Sequence, residues 1–122
     1  MADARLNFKE MCAKFDVTPR TLRYYEYIEL LKPEKDGRSR FYAARELARM
    51  KLIMRGRRFG FSLEEIRQWL EMYEPGSAEN QMEVWLENAE RQLVELKKQR
   101  DELDGTIAEL ERLKDETAKN IA

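Results

Sequence analysis

The chain has 122 residues, the size of one ordinary domain or of one small domain with an appendage. Charged residues make up 39% and hydrophobic residues 43%, which is too apolar for a disordered tail, and no apolar run approaches the roughly 18 residues that a membrane-spanning helix needs. With no histidine and a single cysteine, an internal disulfide, a Cys/His zinc site, a serine–histidine triad and a cysteine–histidine pair are all excluded by count. An enzyme would have to work with carboxylates, Lys, Tyr or Arg alone, and no constellation of these suggests one.

The net charge of −1 hides a division. Residues 1–70 hold 16 Lys/Arg against 10 Asp/Glu, a balance of +6, and residues 71–122 hold 7 against 14, a balance of −7. A basic front joined to an acidic rear is the pattern of a polyanion-binding module fused to a module that does not bind polyanions. The opening Met1-Ala2-Asp3-Ala4-Arg5 lacks an apolar signal core, so a cytoplasmic protein is expected.

Taken in chain order, Phe8, Met11, Cys12 and Phe15 stand at i, i+3, i+4, i+7, one stripe of a two-turn helix, with Asn7 as its N-cap. Cys12 in that stripe reads as a buried structural thiol. Asp16-Val17 makes a short turn. Thr18 caps a second helix with Pro19 at its first position, running from Arg20 to about Ile28 with Leu22 and Tyr25 inward. Two short helices joined by a tight turn, the second rich in Arg and Tyr, match a helix-turn-helix.

Leu30–Pro33 and Arg40–Tyr42 are short strand candidates around the Asp36-Gly37 turn signal, which predicts a hairpin wing carrying Arg38 and Arg40 near its tip. A third helix follows from about Ala43 with Leu47, Met50 and Met54 on one face. It leads into the basic segment Arg55-Gly56-Arg57-Arg58. Ser62 starts a fourth helix with a capping box to Glu65 and an apolar stripe of Leu63, Ile66, Leu70 and Tyr73. Glu74-Pro75-Gly76-Ser77 links it to the rear. The domain division is therefore 1–75 and 76–122.

From Ser77 onward there is no proline and a single glycine. Met82, Leu86, Ala89, Leu93, Leu96, Arg100, Leu103, Ile107 and Leu110 alternate at steps of four and three, a heptad seam. Gly105 falls on the outer face. A helix of roughly 40 residues is about 60 Å long and outruns the small front domain, so most of this seam needs a second chain. Arg100 within it is a candidate for fixing register.

Arg20, Thr21, Arg23 and Tyr24 lie on the side of the second helix away from Leu22 and Tyr25. Arginine offers planar bidentate donors to guanine edges or phosphates, and the hydroxyls reach phosphates or bases. Arg38 and Arg40, one hairpin away, are placed for neighbouring phosphates or a minor groove. Arg55, Arg57 and Arg58 precede a helix start whose free N–H groups also favour a phosphate, although Glu64 and Glu65 already complement that dipole. Two other readings stand beside sequence-specific regulation: an architectural DNA-bending protein with little sequence preference, and a coiled-coil interaction module docking on an acidic protein.

The segments Thr18-Pro-Arg-Thr-Leu-Arg-Tyr-Tyr-Glu-Tyr-Ile-Glu-Leu-Leu, Gly37-Arg-Ser-Arg-Phe-Tyr and Gly60-Phe-Ser-Leu-Glu-Glu-Ile, in that order and spacing, resemble the MerR family of bacterial transcription regulators. The resemblance covers roughly Phe8 to Leu70, and the long rear helix resembles the family's dimerisation helix. It implies a mainly α fold: a winged helix-turn-helix with a small β-hairpin wing, followed by a helix that forms an antiparallel coiled coil in a homodimer. It implies binding to a pseudo-palindromic operator in double-stranded promoter DNA, distortion of that DNA, and action on RNA polymerase at the promoter. Matched residue by residue, Arg20, Thr21, Arg23 and Tyr24 would carry recognition-helix contacts and Arg38 and Arg40 wing contacts. Tyr42 would lie on a phosphate, and Arg58 to Ser62 would belong to a second, helical wing. Leu86, Leu93, Leu96, Arg100, Leu103, Ile107 and Leu110 would form the dimer seam. Many members of the family carry an effector domain or a cysteine-rich metal loop after that helix. This chain ends at Ala122 with no cysteine in or after the helix, so a short form is expected, with no metal or other cofactor. Its effector would be a small molecule of unspecified identity, a protein partner, or none.

Overall fold

The computed structural model describes residues 5–76 and 79–121. Met1–Ala4, where a signal core was sought, Ser77 of the expected link, and Ala122 lie outside the described residues. The described residues through Trp85 form one compact unit and those from Leu86 onward a second.

In the first unit, β1 (Leu6–Asn7) runs directly into α1 (Phe8–Phe15). Asn7 closes the expected cap as a full capping box. Its Oδ1 accepts from the Glu10 amide at 2.8 Å, and Glu10 Oε1 accepts from the Asn7 amide at 3.0 Å. Asp16, left-handed at φ 51°, ends the helix by returning its N–H to the last turn. Thr18 then opens α2 (Pro19–Tyr27), its Oγ1 accepting from the Thr21 amide. Leu22 and Tyr25 of α2 are buried as the spacing predicts, and Met11 of α1 is buried with them.

The first wing strand is not Leu30–Pro33. Leu30 and Leu31 are both fully buried, and both their amides turn back to the Tyr25 carbonyl, so they close the end of α2. A strand sends consecutive side chains to opposite faces, which two adjacent core leucines cannot satisfy here. Glu29, just before them, has φ 63° to make the turn. The wing is instead β2 (Glu34–Asp36) against β3 (Ser39–Tyr42), paired Glu34–Phe41, Lys35–Arg40 and Asp36–Ser39. The turn is Gly37-Arg38, with Gly37 at φ 64° in the place where a two-residue hairpin needs it. On its other side β3 pairs with β1, Leu6 facing Tyr42 and Asn7 facing Phe41, so β3 is the central strand of three.

Next, α3 spans Ala44–Phe59, and α4 spans Leu63–Glu71 behind a Ser62–Glu65 capping box. The inner face of α3 is Glu46, Met50, Ile53 and Gly56, rotated from the expected Leu47, Met50 and Met54, of which only Met50 is fully buried. The rotation places Glu46 inside, where its carboxylate accepts from the Lys32 amide at 2.9 Å and from Arg45 Nη1 at 2.7 Å. Ile66, Trp69 and Leu70 of α4 are buried against α3, but Tyr73 lies beyond the helix and is exposed. The last helix, α5 (Glu79–Ile121), starts within the first unit, where the Trp85 ring lies 5.8 Å from that of Trp69. From Leu86 it continues through the second unit with no buried residue. Among the described residues no helix is long and apolar enough to cross a membrane.

Candidate nucleic-acid interface

The site starts from the one-sided burial of α2. With Leu22 and Tyr25 in the core, Arg20, Arg23 and Tyr24 are left on the exposed side, and Tyr27 beyond them is 83% exposed. Tyr25 is no free phenol: its hydroxyl accepts from Arg57 Nη1 at 3.0 Å, tying α2 to the end of α3. Arg67 of α4 donates to the carbonyl of Ile28, fixing the other end of α2. The helix that presents the arginines is thus held by two others.

Arg23 stands between two shallow clefts. One, of about 470 Å³, is bounded by Asn7, Phe8 and Lys9 of β1 and α1 and by Arg38 and Arg40 of the wing. The other, of about 540 Å³, is bounded by Arg20, Tyr24, Tyr27 and Arg57. The Arg23 guanidinium lies 5.5 Å from the centre of the Phe8 ring, and that of Arg40 lies 5.3 Å from the same ring. Helix and wing arginines are therefore braced on one aromatic side chain. Arg38 is exposed at the hairpin turn. The result is a run of guanidinium groups with interleaved tyrosines, which suits a phosphate backbone and base edges.

Of the residues singled out from sequence, Arg20, Arg23, Tyr24, Arg38 and Arg40 border this surface. Thr21 also borders it, but its hydroxyl is engaged by Thr18 Oγ1 at 2.9 Å. Arg58 is exposed at the end of α3, and Ser62 spends its hydroxyl on the cap of α4. Tyr42, expected on a phosphate, lies in the core. It is fully buried, and its hydroxyl donates to the Glu26 carboxylate. Burial first, and then that hydrogen bond, push its pKa well above the usual phenol value. Arg40 is also drawn inward, to Glu26 Oε1 at 3.0 Å. In the basic segment before α4, Arg55 packs 5.9 Å over the Trp69 ring.

Sequence reasoning missed Lys9 and Tyr27. Lys9 had a readable signal: a cation in the first turn of a helix opposes the helix dipole and gains nothing locally, so it invites an anion from outside. Cys12 is only half-buried, and burial raises its thiol pKa, which keeps it protonated. Among the described residues no acidic or cysteine cluster is arranged to hold a metal ion.

On α5 the expected seam forms an uncovered apolar stripe. Leu86, Leu93, Leu96, Leu103, Ile107 and Leu110 are all exposed, from 38% at Leu96 to 65% at Leu110. Leu113 and Ile121 are exposed further along.

Two family models match the chain: the MerR HTH family regulatory protein over residues 6–73 and MerR, DNA binding over residues 47–116. The HTH-type transcriptional regulator HmrR of Rhizobium leguminosarum bv. viciae is 40% identical over 70 residues, covering 57% of this chain and 54% of that protein. ZntR of Escherichia coli (strain K12) is 41% identical over 63 residues, covering 50% and 45%. The chain thus spans about half the length of these curated relatives. A MerR family transcriptional regulator from Bacillus cereus superposes with a TM-score of 0.70 at 26% identity, over 88% of this chain and 78% of that one. HiNmlR, described as a MerR family regulator lacking the sensor domain and bound to promoter DNA, shares the fold with a TM-score of 0.66 at 24% identity, over 84% and 78%. With its helix-turn-helix and hairpin wing in place and both family models covering more than half of its length, the chain belongs to the MerR family.

Proposed function

We propose that this chain is a sequence-specific transcription regulator that binds double-stranded promoter DNA as a homodimer. The observation that carries the reading is the continuous basic surface on which Arg20, Arg23 and Tyr24 of α2 stand beside Arg38 of the wing. A helix with this exposed face enters a major groove, and the hairpin tip meets the adjacent backbone or minor groove. Lys9 and Arg58 add phosphate contacts at the margins. The relatives named as transcriptional regulators, and the neighbour described on promoter DNA, support the same conclusion.

Pairing is supported by the bare stripe on α5. In this reading residues 1–75 bind DNA and 76–122 hold the two copies together. Arg100 selects the orientation. A parallel, in-register pair would set Arg100 against its own copy, two like charges in a seam. An antiparallel pair that sets Leu86 opposite Leu110 and Leu93 opposite Leu103 places Arg100 opposite Leu96. Its stem then packs on the leucine while its head reaches solvent. Two basic heads at a fixed separation read the halves of a pseudo-palindrome, and bending that operator brings promoter elements into register for RNA polymerase.

Footprinting on genomic DNA tests it. Protection of a symmetric promoter segment is expected. Uniform protection would make the protein an architectural DNA-binder, and absence of protection would make it an interaction module. In the same assay Arg23→Ala should weaken the specific site by about 1–3 kcal/mol with helicity unchanged. An equal loss on random DNA would reduce Arg23 to a phosphate contact.

A further inference from the structure

Glu26 is a carboxylate on the reading helix, one turn after Arg23, beside the basic surface that Arg23 and Arg40 border. A negative charge there opposes DNA unless a cation of the protein itself compensates it. Its side chain is only 14% exposed, and both oxygens are engaged by one strand. Oε1 accepts from Arg40 Nη1 at 3.0 Å, and Oε2 accepts from the Tyr42 hydroxyl. Arg40 and Tyr42 are alternate residues of β3 and so share one face of it. A single carboxylate of α2 thus takes the side chains that β3 turns toward it. The Arg40 guanidinium is further seated against the Phe8 ring, the ring that also carries Arg23.

The geometry points to Glu26 as a positioning residue that locks the β2–β3 wing to the reading helix through Arg40 and Tyr42, and so sets where Arg38 meets the duplex. Arg40, on this assignment, belongs to the lock and makes no phosphate contact of its own. Only Ser39 separates Arg40 from Arg38 along the strand and turn, so a change in the tilt of β3 moves Arg38 directly. The inference rests on the DNA-binding reading for its consequence, but the lock itself is a property of the free protein.

The two roles open to Glu26 predict opposite signs. If it were only a stray negative charge, Glu26→Gln would tighten binding to every duplex. As a lock, Glu26→Gln weakens binding to the specific site while binding to unrelated DNA holds or improves. The experiment uses the full chain as wild type, Glu26→Gln, Arg40→Gln and the double variant. Each is titrated at several salt concentrations against a duplex of the protected promoter segment and against a scrambled duplex of equal length. Amide hydrogen exchange across residues 34–42 is measured without DNA. Each single variant should lose about tenfold on the specific duplex, the scale of one hydrogen bond to a charged group, with no loss on the scrambled one. The double variant should be no worse than either single one, and wing amides should exchange about tenfold faster.

Glu26→Gln binding both duplexes more tightly with wing exchange unchanged would overturn the assignment. So would Arg40→Gln lowering the salt slope by about one, the mark of a lost phosphate contact. Should Glu26→Gln fail to fold, by circular dichroism, the Arg40→Gln and double-variant measurements decide. Should the wild type bind neither duplex at low salt, the regulatory reading falls, and the exchange data still settle whether Glu26 holds the wing.

Discussion

Gly56 of α3 faces Ile66 of α4 so closely that a β-carbon on the glycine would stand 2.7 Å from Ile66 Cγ1 and 3.1 Å from its Cδ1. The two helices that support the reading helix are packed to the limit at this point. Gly105, on the outer side of α5, has nothing within 4 Å of the same imagined atom. Alanine should therefore act with opposite signs at the two sites. Gly56→Ala should lower stability by about 1 kcal/mol, as overpacking of about 1–3 kcal/mol outweighs the helix-propensity gain. Gly105→Ala should raise it by up to about 1 kcal/mol. Urea denaturation of both variants decides; stabilisation at Gly56 would mean that α4 moves freely away from α3.

The Glu46 carboxylate is the buried hub of the loop after α2. It accepts from the Lys32 amide and from Arg45, and lies 3.9 Å from Arg49 Nε. Arg49, only 16% exposed, donates to the Leu30 carbonyl at 3.0 Å and to Glu74 at 2.9 Å. Its pKa is lowered, chiefly by burial. Glu46→Ala leaves an amide unpaired and Arg49 partly uncompensated. The expected cost is about 3 kcal/mol, seen as a lower urea midpoint with an unchanged slope. A loss under 1 kcal/mol would show that water replaces the carboxylate.

Tyr42 couples stability to alkaline pH. Its folded pKa lies above the unfolded phenol value of about 10, because burial and Glu26 both disfavour the phenolate. Its contribution is complete below that unfolded value. Above it the unfolded chain sheds the proton while the folded one keeps it, so stability falls as pH rises. Tyr42→Phe removes a hydrogen bond to a charged acceptor and should cost about 1.5–3 kcal/mol at neutral pH. The variant's stability should also decline less steeply above pH ~10. Parallel alkaline limbs for the two proteins would contradict the raised pKa.

Leu103 is 60% exposed near the middle of the α5 stripe. Leu103→Asp places a charge where the proposed seam excludes water. Sedimentation should report a dimer for the wild type and a monomer for the variant. A variant that still sediments as a dimer would remove Leu103 from the seam.

The parts of the fold that were legible in the sequence are those written within a few residues. Asn7–Glu10, Thr18-Pro19 and Ser62–Glu65 each encode a helix start through a side chain reaching three residues ahead, and all three hold. The inward set of α2 follows from its own spacing. The errors lie where a distant partner decides. β1 is two residues long and exists only because Tyr42 and Phe41 pair with it. Leu30 and Leu31 resemble a strand until their amides turn back to Tyr25. The inner face of α3 is rotated because Glu46 finds the Lys32 amide, fourteen residues earlier. The partner of Tyr42, Glu26 of α2, was likewise not legible from spacing. At the candidate interface, residue types announced the arginines of α2. Which wing arginine is free and which is bound inward depends on a contact sixteen and fourteen residues away from Glu26.

The central place of β3, hydrogen-bonded to β1 on one side and β2 on the other, has a calorimetric consequence. The β2–β3 wing is already folded in the free protein, with only Gly37-Arg38 outside the ladder. On the proposed association such a wing needs no disorder-to-order transition, so the heat-capacity change on complex formation should scale with the contact area alone, without the added burial of a folding segment.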